Sequence, residues 1–266
     1  QYFGLAQSRK RVYIVGTKDA HISLDNFEEH TAVFGDIMEH GLPTVDSEFT
    51  RKLFSHFTPA QVVGKAIKDK RGGADNIHSW EIGLKGDTTE EQSNFLNLLL
   101  LERRKKKWAA EIGIDWMDGM PLTEQQISTF FQHDDLKGFL DNLVNMGYLT
   151  LEYPRKRYKG RRVPDETKPK GYNIVAGKLS FEFTKILDPA ELAPTLVAMD
   201  VSHLGVVDGN GLRRLSIREG QRLCGFPEDY DLSFLKESEA FDLLGNTVCI
   251  PVIQAISERL ADMYSN

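Results

Sequence analysis

Cysteine is scarce in this 266-residue chain, which holds only Cys224 and Cys249. Two thiols cannot make a disulfide framework or a zinc site, and such usage points to a reducing compartment. Long apolar runs are missing too. The longest, over residues 95–101, is broken by Asn97 and falls far short of the ~20 residues that cross a bilayer. No basic segment followed by an apolar one opens the chain, so neither secretion nor a membrane is indicated. Internal repeats and low-complexity tracts are absent as well. Positive charge is in deficit: the formal net charge is −6, which excludes a uniformly basic nucleic-acid coat but not a locally basic surface. What is present is an ordinary globular composition, 41% apolar and 27% charged, sufficient for one large or two small domains.

The positive charge that exists is concentrated. Residues 153–170 hold Arg155, Lys156, Arg157, Lys159, Arg161, Arg162, Lys168 and Lys170 against Asp165 and Glu166. A second run, Arg-Arg-Lys-Lys-Lys at 103–107, closes a helix expected over 90–108, where it suits the negative end of the helix dipole. Two basic clusters flanking one module suit phosphate contacts, which supply affinity and register. The plain alternative is a solvated helix end and a loop.

The middle of the chain has the clearest local grammar. Thr123 and Gln126 form a capping box that opens a short helix to Phe131. Asp134 is placed to cap a second helix with Leu136, Phe139, Leu140 and Leu143 on one face, and Gly147 stands where a left-handed cap belongs. An alternating strand at 148–153, a basic loop at 154–170 and a returning strand at 171–175 follow. Helix, turn, amphipathic helix and hairpin with a basic tip is the pattern of a winged helix-turn-helix over 121–175. On that reading Lys137, Asp141, Asn142 and Asn145 face DNA; Asn suits adenine and Lys suits guanine. A helical insertion with a merely solvated face is the alternative. Elsewhere, Val-Tyr-Ile-Val at 12–15 reads as a strand buried on both faces, and Trp-Glu-Ile-Gly at 80–83 as a short strand. Ser216 and Glu219 form another capping box, opening a helix that stops at Gly225-Phe-Pro. Pro251 suits the first turn of a last helix that shows Val252, Ile256 and Leu260 on one face.

Three segments carry chemistry. Gln-Ser-Arg-Lys-Arg spans 7–11. Arg-Leu-Ser-Ile-Arg-Glu-Gly-Gln-Arg-Leu-Cys-Gly-Phe-Pro runs from Arg214 to Pro227, and Gly-Asn-Thr-Val-Cys-Ile-Pro spans 245–251. In this order they resemble the closing motifs of the DNA cytosine-5 methyltransferases, written Q-x-R-x-R, R-x-L-T-x-x-E-x-x-R-L-x-G-F-P and G-N-S/A-V. The resemblance covers residues 1–16 and 190–266. It implies an α/β chain: part of an S-adenosylmethionine-dependent, Rossmann-like methyltransferase fold plus a mixed α+β target-recognition domain with a winged-helix insertion. The boundaries it implies are 1–18 for the last strands of the catalytic domain and 19–212 for the recognition region. Residues 213–244 would hold the penultimate motif and 245–266 the helix returning to the catalytic domain.

By the same resemblance, Arg9 and Arg11 contact the target cytosine, with Gln7 bracing that strand and the DNA. Asn246, Thr247 and Val248 border S-adenosyl-L-methionine. Thr195 and Leu196 match a Thr-Leu pair at the target site, and Arg214, Glu219 and Arg222 organise the recognition domain. Lys137, Asn142 and Asn145 on the helix, with Arg155, Arg157, Arg161 and Arg162 in the wing, complete the expected DNA surface. The family's earlier pieces, a glycine-rich donor loop, a Pro-Cys nucleophile and Glu-Asn-Val, do not occur, and Cys224 and Cys249 read as core residues. The expectation is therefore the recognition and pocket-completing part of a bacterial, cytoplasmic DNA (cytosine-5)-methyltransferase of a restriction–modification system, inactive alone. Its partners would be duplex DNA with a flipped cytosine and an N-terminal catalytic portion, for which Gln1 in place of Met also speaks. A non-catalytic winged-helix DNA-binding protein and an inactive methyltransferase remnant stay open at this point.

Overall fold

The computed structural model describes residues 2–18, 22–70, 72–73, 75–175 and 181–265. The chain divides into two compact units. One comprises Gln1–Thr50, Thr58–Gly64 and Phe183–Asn266; the other comprises Arg51–Phe57 and Lys65–Glu182.

The first unit brings the two ends of the chain together. Gln7–Ser8 pairs in parallel with Ala193–Pro194. A hairpin of Leu204–Asp208 and Gly211–Arg214 carries Lys185–Ile186 in parallel along its first strand. Helices Ile217–Cys224, Glu237–Asn246 and Ile250–Ser265 follow. Ser216 accepts from the Glu219 amide at 3.0 Å while Glu219 accepts from the Ser216 amide at 2.9 Å, closing the expected capping box. Gly225 ends that helix at φ +79°, and a Cβ there would also meet Pro251 at 2.4 Å, so glycine is required twice over. Phe34, Leu196, Val206, Leu215, Leu223, Phe241 and Leu244 build the core.

Two elements of this unit depart from expectation. Val-Tyr-Ile-Val at 12–15 forms no strand among the described residues, and Val12 and Ile14 are 88% and 91% exposed. A β-branched run sets the strand preference, but burial needs neighbouring strands. One 18-residue window inside Glu237–Met263 is apolar enough for a membrane span. The stretch is interrupted at 247–249, however, and leaves helices of 10 and 16 residues, both under the ~20 that span a bilayer.

The second unit is built on helix Glu90–Glu102, capped by Thr89 and Gln92, and on helices Lys106–Glu111, Glu124–Ser128 and Leu136–Asn145. Leu122 bridges Tyr172, and Leu149–Glu152 pairs antiparallel with Gly171–Ile174. Trp80, Phe95, Leu99, Leu100, Ile127, Leu140, Leu143 and Tyr148 pack between these elements. The Thr123–Gln126 box forms with bonds of 3.2 and 3.1 Å, and Gly147 takes φ +83° as expected.

Four readings need correction here. The helix expected over 90–108 stops at Glu102, because Arg103 turns inward: it is 5% exposed and donates to Asn173 Oδ1 at 2.7 Å. The cap of the second helix is Asp135, which accepts from the Gly138 amide at 2.9 Å, and not Asp134. Residues 80–83 are turns, not a strand; Trp80 is held by its indole N–H on Asn97 Oδ1 at 3.1 Å. The supposed basic loop contains a second hairpin, Arg155–Tyr158 with Arg161–Pro164. Lys159 and Gly160 take φ of +48° and +76°, the two positive values that a tight primed hairpin turn needs.

Candidate functional site

Arg9 is the hub where the first and last segments meet. Its Nη2 donates to the carbonyls of Gly245 at 3.1 Å and Thr247 at 2.6 Å. The last carbonyls of a helix have no partner inside it, and a cation is favoured at that end of the dipole. Its Nε and Nη1 are buried with no partner among the described residues, as are both polar atoms of the Gln7 amide. One step along, Thr195 donates to the Ser8 carbonyl at 2.6 Å, which ties the strand to the segment after Pro194. Residues 7–9, 195 and 245–247 thus converge although they lie up to 238 positions apart.

The remaining expected residues of this cluster differ in accessibility. Arg11 is exposed and donates to its neighbour's carbonyl, Lys10 O, at 2.8 Å. The Asn246 amide donates to Asp242 O at 2.9 Å, securing the helix end, and Val248 is 51% exposed. Gln7 and Leu196, expected at DNA, are each only 1% exposed. The structure places both in the interior instead: Gln7 is buried with its amide unpartnered among the described residues, and Leu196 belongs to the core because its aliphatic side chain packs there. Burial also governs the thiols. It pushes Cys224 up to about 11 and raises Cys249 as well, the reverse of an activated thiolate.

A buried ion cluster supports the cluster's neighbour, the Ser216 helix. Arg213 donates to Glu219 through both Nη1 and Nη2, at 2.9 and 2.7 Å, and through Nε to Asp208 at 2.9 Å. It also reaches the Glu39 carbonyl at 2.6 Å. Glu219 accepts further from the Glu39 amide at 2.9 Å, while Asp208 accepts from the amides of Gly41 and Leu42 at 2.9 and 3.0 Å. Those amide bonds, opposed by partial burial and joined by Arg213, hold the Asp208 carboxyl below its usual range. The motif therefore begins at Arg213 and not at Arg214. Arg214 instead lies over the Phe183 ring at 5.4 Å and donates to Ser202 O. Arg222 grips Glu228 two-pronged at 2.7 and 2.9 Å. Sequence reading missed Arg213, although counting back from Glu219 in R-x-L-x-x-x-E would have reached it.

A family model of C-5 cytosine-specific DNA methylases matches residues 1–262. The chain belongs to that family. It is 56% identical over 258 residues to the Type II methyltransferase M.NlaIV of Neisseria lactamica, and 54% identical over the same length to M.NgoBV of Neisseria gonorrhoeae. In each case 97% of this chain and 61% of the relative are covered. The Type II methyltransferase M.BanI of Aneurinibacillus aneurinilyticus is 35% identical, over 99% of this chain and 61% of its own length. The chain thus spans about three fifths of the length of these relatives.

The second unit holds the other expected residues. Lys137 pairs with Asp141 at 2.5 Å, and Asn142 accepts from Gln92 Nε2 at 2.8 Å. Asn145 is exposed and has no partner among the described residues. Arg155, Arg157, Arg161 and Arg162 are all exposed on the hairpin, likewise without a hydrogen-bond or ion-pair partner among the described residues. The second basic run behaves otherwise. Arg103 is buried on Asn173, Arg104 pairs with Asp118 at 2.6 Å, and Lys105 pairs with Glu102 at 2.5 Å. Lys106 and Lys107 lie over the Trp116 and Trp108 rings, at 5.7 and 3.9 Å. The hairpin, and not the 103–107 run, carries unengaged guanidinium groups.

Proposed function

We propose that this chain is the recognition and pocket-completing part of a DNA (cytosine-5)-methyltransferase of a bacterial restriction–modification system, working on duplex DNA in the cytoplasm. The observation that carries the reading is Arg9 held on the carbonyls of Gly245 and Thr247. It joins the family's Q-x-R-x-R and G-N-S/A-V segments into one rigid corner, which family membership alone would not require.

In that role the first unit closes the catalytic domain. Residues 245–248 fit one wall of a methyl-donor pocket. The carbonyls of Gly245 and Thr247 are fixed by Arg9, the Asn246 amide is fixed on Asp242, and Val248 is left exposed. S-adenosyl-L-methionine, when bound, supplies the electrophilic methyl group. Arg11, exposed beside this corner, is the group placed to meet the flipped cytosine or its phosphate; a guanidinium stays charged and forks onto oxygen acceptors. Thr195 lies beside Ser8 at the same edge. The nucleophilic thiolate is assigned to an N-terminal portion like the remaining two fifths of the relatives, since Cys224 and Cys249 are both held as thiols by burial.

The second unit is assigned to DNA recognition as a winged helix. Supporting this are the Leu122–Tyr172 bridge, the helix pair at 124–128 and 136–145, and the hairpin whose connection forms a projecting basic wing. Helix Leu136–Asn145 would enter the major groove with Lys137, Asn142 and Asn145, and the wing arginines would hold phosphates. The experiment is a methyl-transfer assay on duplex DNA. The chain by itself should transfer no methyl group, and adding a separately produced N-terminal portion carrying Pro-Cys should restore transfer. Methylated DNA from the purified chain alone would refute this division of labour.

A further inference from the structure

We propose that the cavity beneath the wing is a phosphate pocket that grips the DNA backbone, with the indole of Trp116 as its floor. The proposal rests on the DNA-recognition reading above and names the site that does the holding. In the hairpin register Arg157 stands opposite Arg162 and Arg155 opposite Pro164, so Arg155, Arg157 and Arg162 share one face. Arg161 and Tyr158 point to the other. The three arginines on the first face line a cavity of about 190 Å³ together with Asp115, Trp116 and Met117.

Several features make this a receptor for an oxyanion and not a solvated charge cluster. Like charges directly opposed across a strand pair are destabilising, and Arg157 and Arg162 meet in that way with no carboxylate partner among the described residues. An anion between them removes the repulsion and satisfies two planar forks, the geometry that phosphate oxygens match. The floor is pre-set. Trp116 donates its indole N–H to Arg104 O at 3.0 Å, and Arg104 is itself paired with Asp118 at 2.6 Å. The ring therefore cannot turn away without losing that bond, and it presents an apolar face for the sugar that flanks a phosphodiester. Asp115 contributes one negative charge to the rim, which disfavours a densely anionic guest more than a singly charged diester.

The chain reports on this site directly. Of its three tryptophans, Trp80 and Trp108 are 2% and 3% exposed, whereas Trp116 is 42% exposed. Acrylamide quenching therefore reads Trp116, and Trp116→Phe should abolish the accessible signal. Duplex DNA should shield Trp116 in the full chain. Arg157→Gln with Arg162→Gln should remove the shielding and flatten the salt dependence of binding, by about one unit of log–log slope for each phosphate no longer neutralised. Arg161→Gln, on the opposite face, should also flatten the slope as a wing phosphate contact, yet leave Trp116 shielded at saturating DNA; thermal melting checks that each variant is folded. DNA binding that leaves wild-type Trp116 fully quenchable, or wild-type shielding and slope in the double variant, would overturn the pocket while leaving DNA recognition standing. Shielding by an acidic peptide but not by DNA would overturn the phosphodiester assignment. Failure of the wild-type chain to bind DNA at any salt concentration would overturn both.

Discussion

Arg213 and Arg214 are chemically identical neighbours with opposite fates, and the strand decides between them. Alternation along Gly211–Arg214 sends the two guanidiniums to opposite faces; Arg213 falls to 2% side-chain exposure beside Glu219 and Asp208, while Arg214, at the strand's end, stays partly exposed over the Phe183 ring. Inside, Arg213 must be fully satisfied, and it is, by Glu219, Asp208 and the Glu39 carbonyl. Removing one partner of such a buried pair leaves an uncompensated charge, which typically costs about 3–5 kcal/mol. Arg213→Met should therefore lower stability by that order in urea unfolding, because Glu219, at 0% exposure, is stranded. Arg214→Met should cost only about 1 kcal/mol, the scale of a partly exposed cation on an aromatic ring. Equal losses for the two variants would show that the ion cluster is not what holds the Ser216 helix to the 204–214 hairpin.

At the scale of elements, what was legible in the sequence is what is encoded locally. The Thr123–Gln126 and Ser216–Glu219 boxes each lie within four residues, and both form. The apolar face of Leu136–Asn145 follows from a 3.6-residue period and is buried as expected. The wing hairpin was not legible because Arg-Lys-Arg-Tyr has no apolar alternation, and every residue of its first strand is exposed. Only the Lys159-Gly160 pair marked the turn, and it lacks the Asn or Asp that usually signals one. Nor could the inward turn of Arg103 be read, since its partner Asn173 is 70 positions away.

The wing is anchored at its base by Asp165, which accepts from Lys156 Nζ at 2.8 Å and from Thr167 Oγ1 at 2.7 Å. Those bonds, that to Lys156 first, hold its carboxyl down to about 2 from an ordinary 3.8. A carboxyl with a depressed folded value contributes stability that is complete above its unfolded value and is lost as pH falls through the folded one. The wing should accordingly loosen between about pH 4 and pH 2, as followed by amide protection factors of residues 155–163. Asp165→Asn should show the loosened wing already at pH 7 and no further change in that window. Protection in the wild type that stays level down to pH 2 would remove Asp165 as the anchor.

For the whole molecule, the decisive feature is the strand-forming sequence at 12–15, which forms no strand among the described residues. Val12 and Ile14 are 88% and 91% exposed, beside Tyr13 and Val15, which are only partly covered. Leaving two β-branched side chains in water forgoes about 1.5–3 kcal/mol for each that could be buried. An unpaired run of amides and carbonyls is also a template for another strand. The proposed division of the enzyme supplies the missing neighbours, because Arg9 fixes the start of this run against Gly245 and Thr247 and so aims it. Amides 12–15 should therefore exchange rapidly in the isolated chain and become protected when the N-terminal portion is added. Val12→Asp with Ile14→Lys should leave the melting temperature of the isolated chain nearly unchanged, since neither side chain is buried in it, yet abolish both that protection and the restored methyl transfer. A variant that still assembles and restores transfer would place the joint between the two portions elsewhere, and the exposed run would then be only a surface segment of this chain.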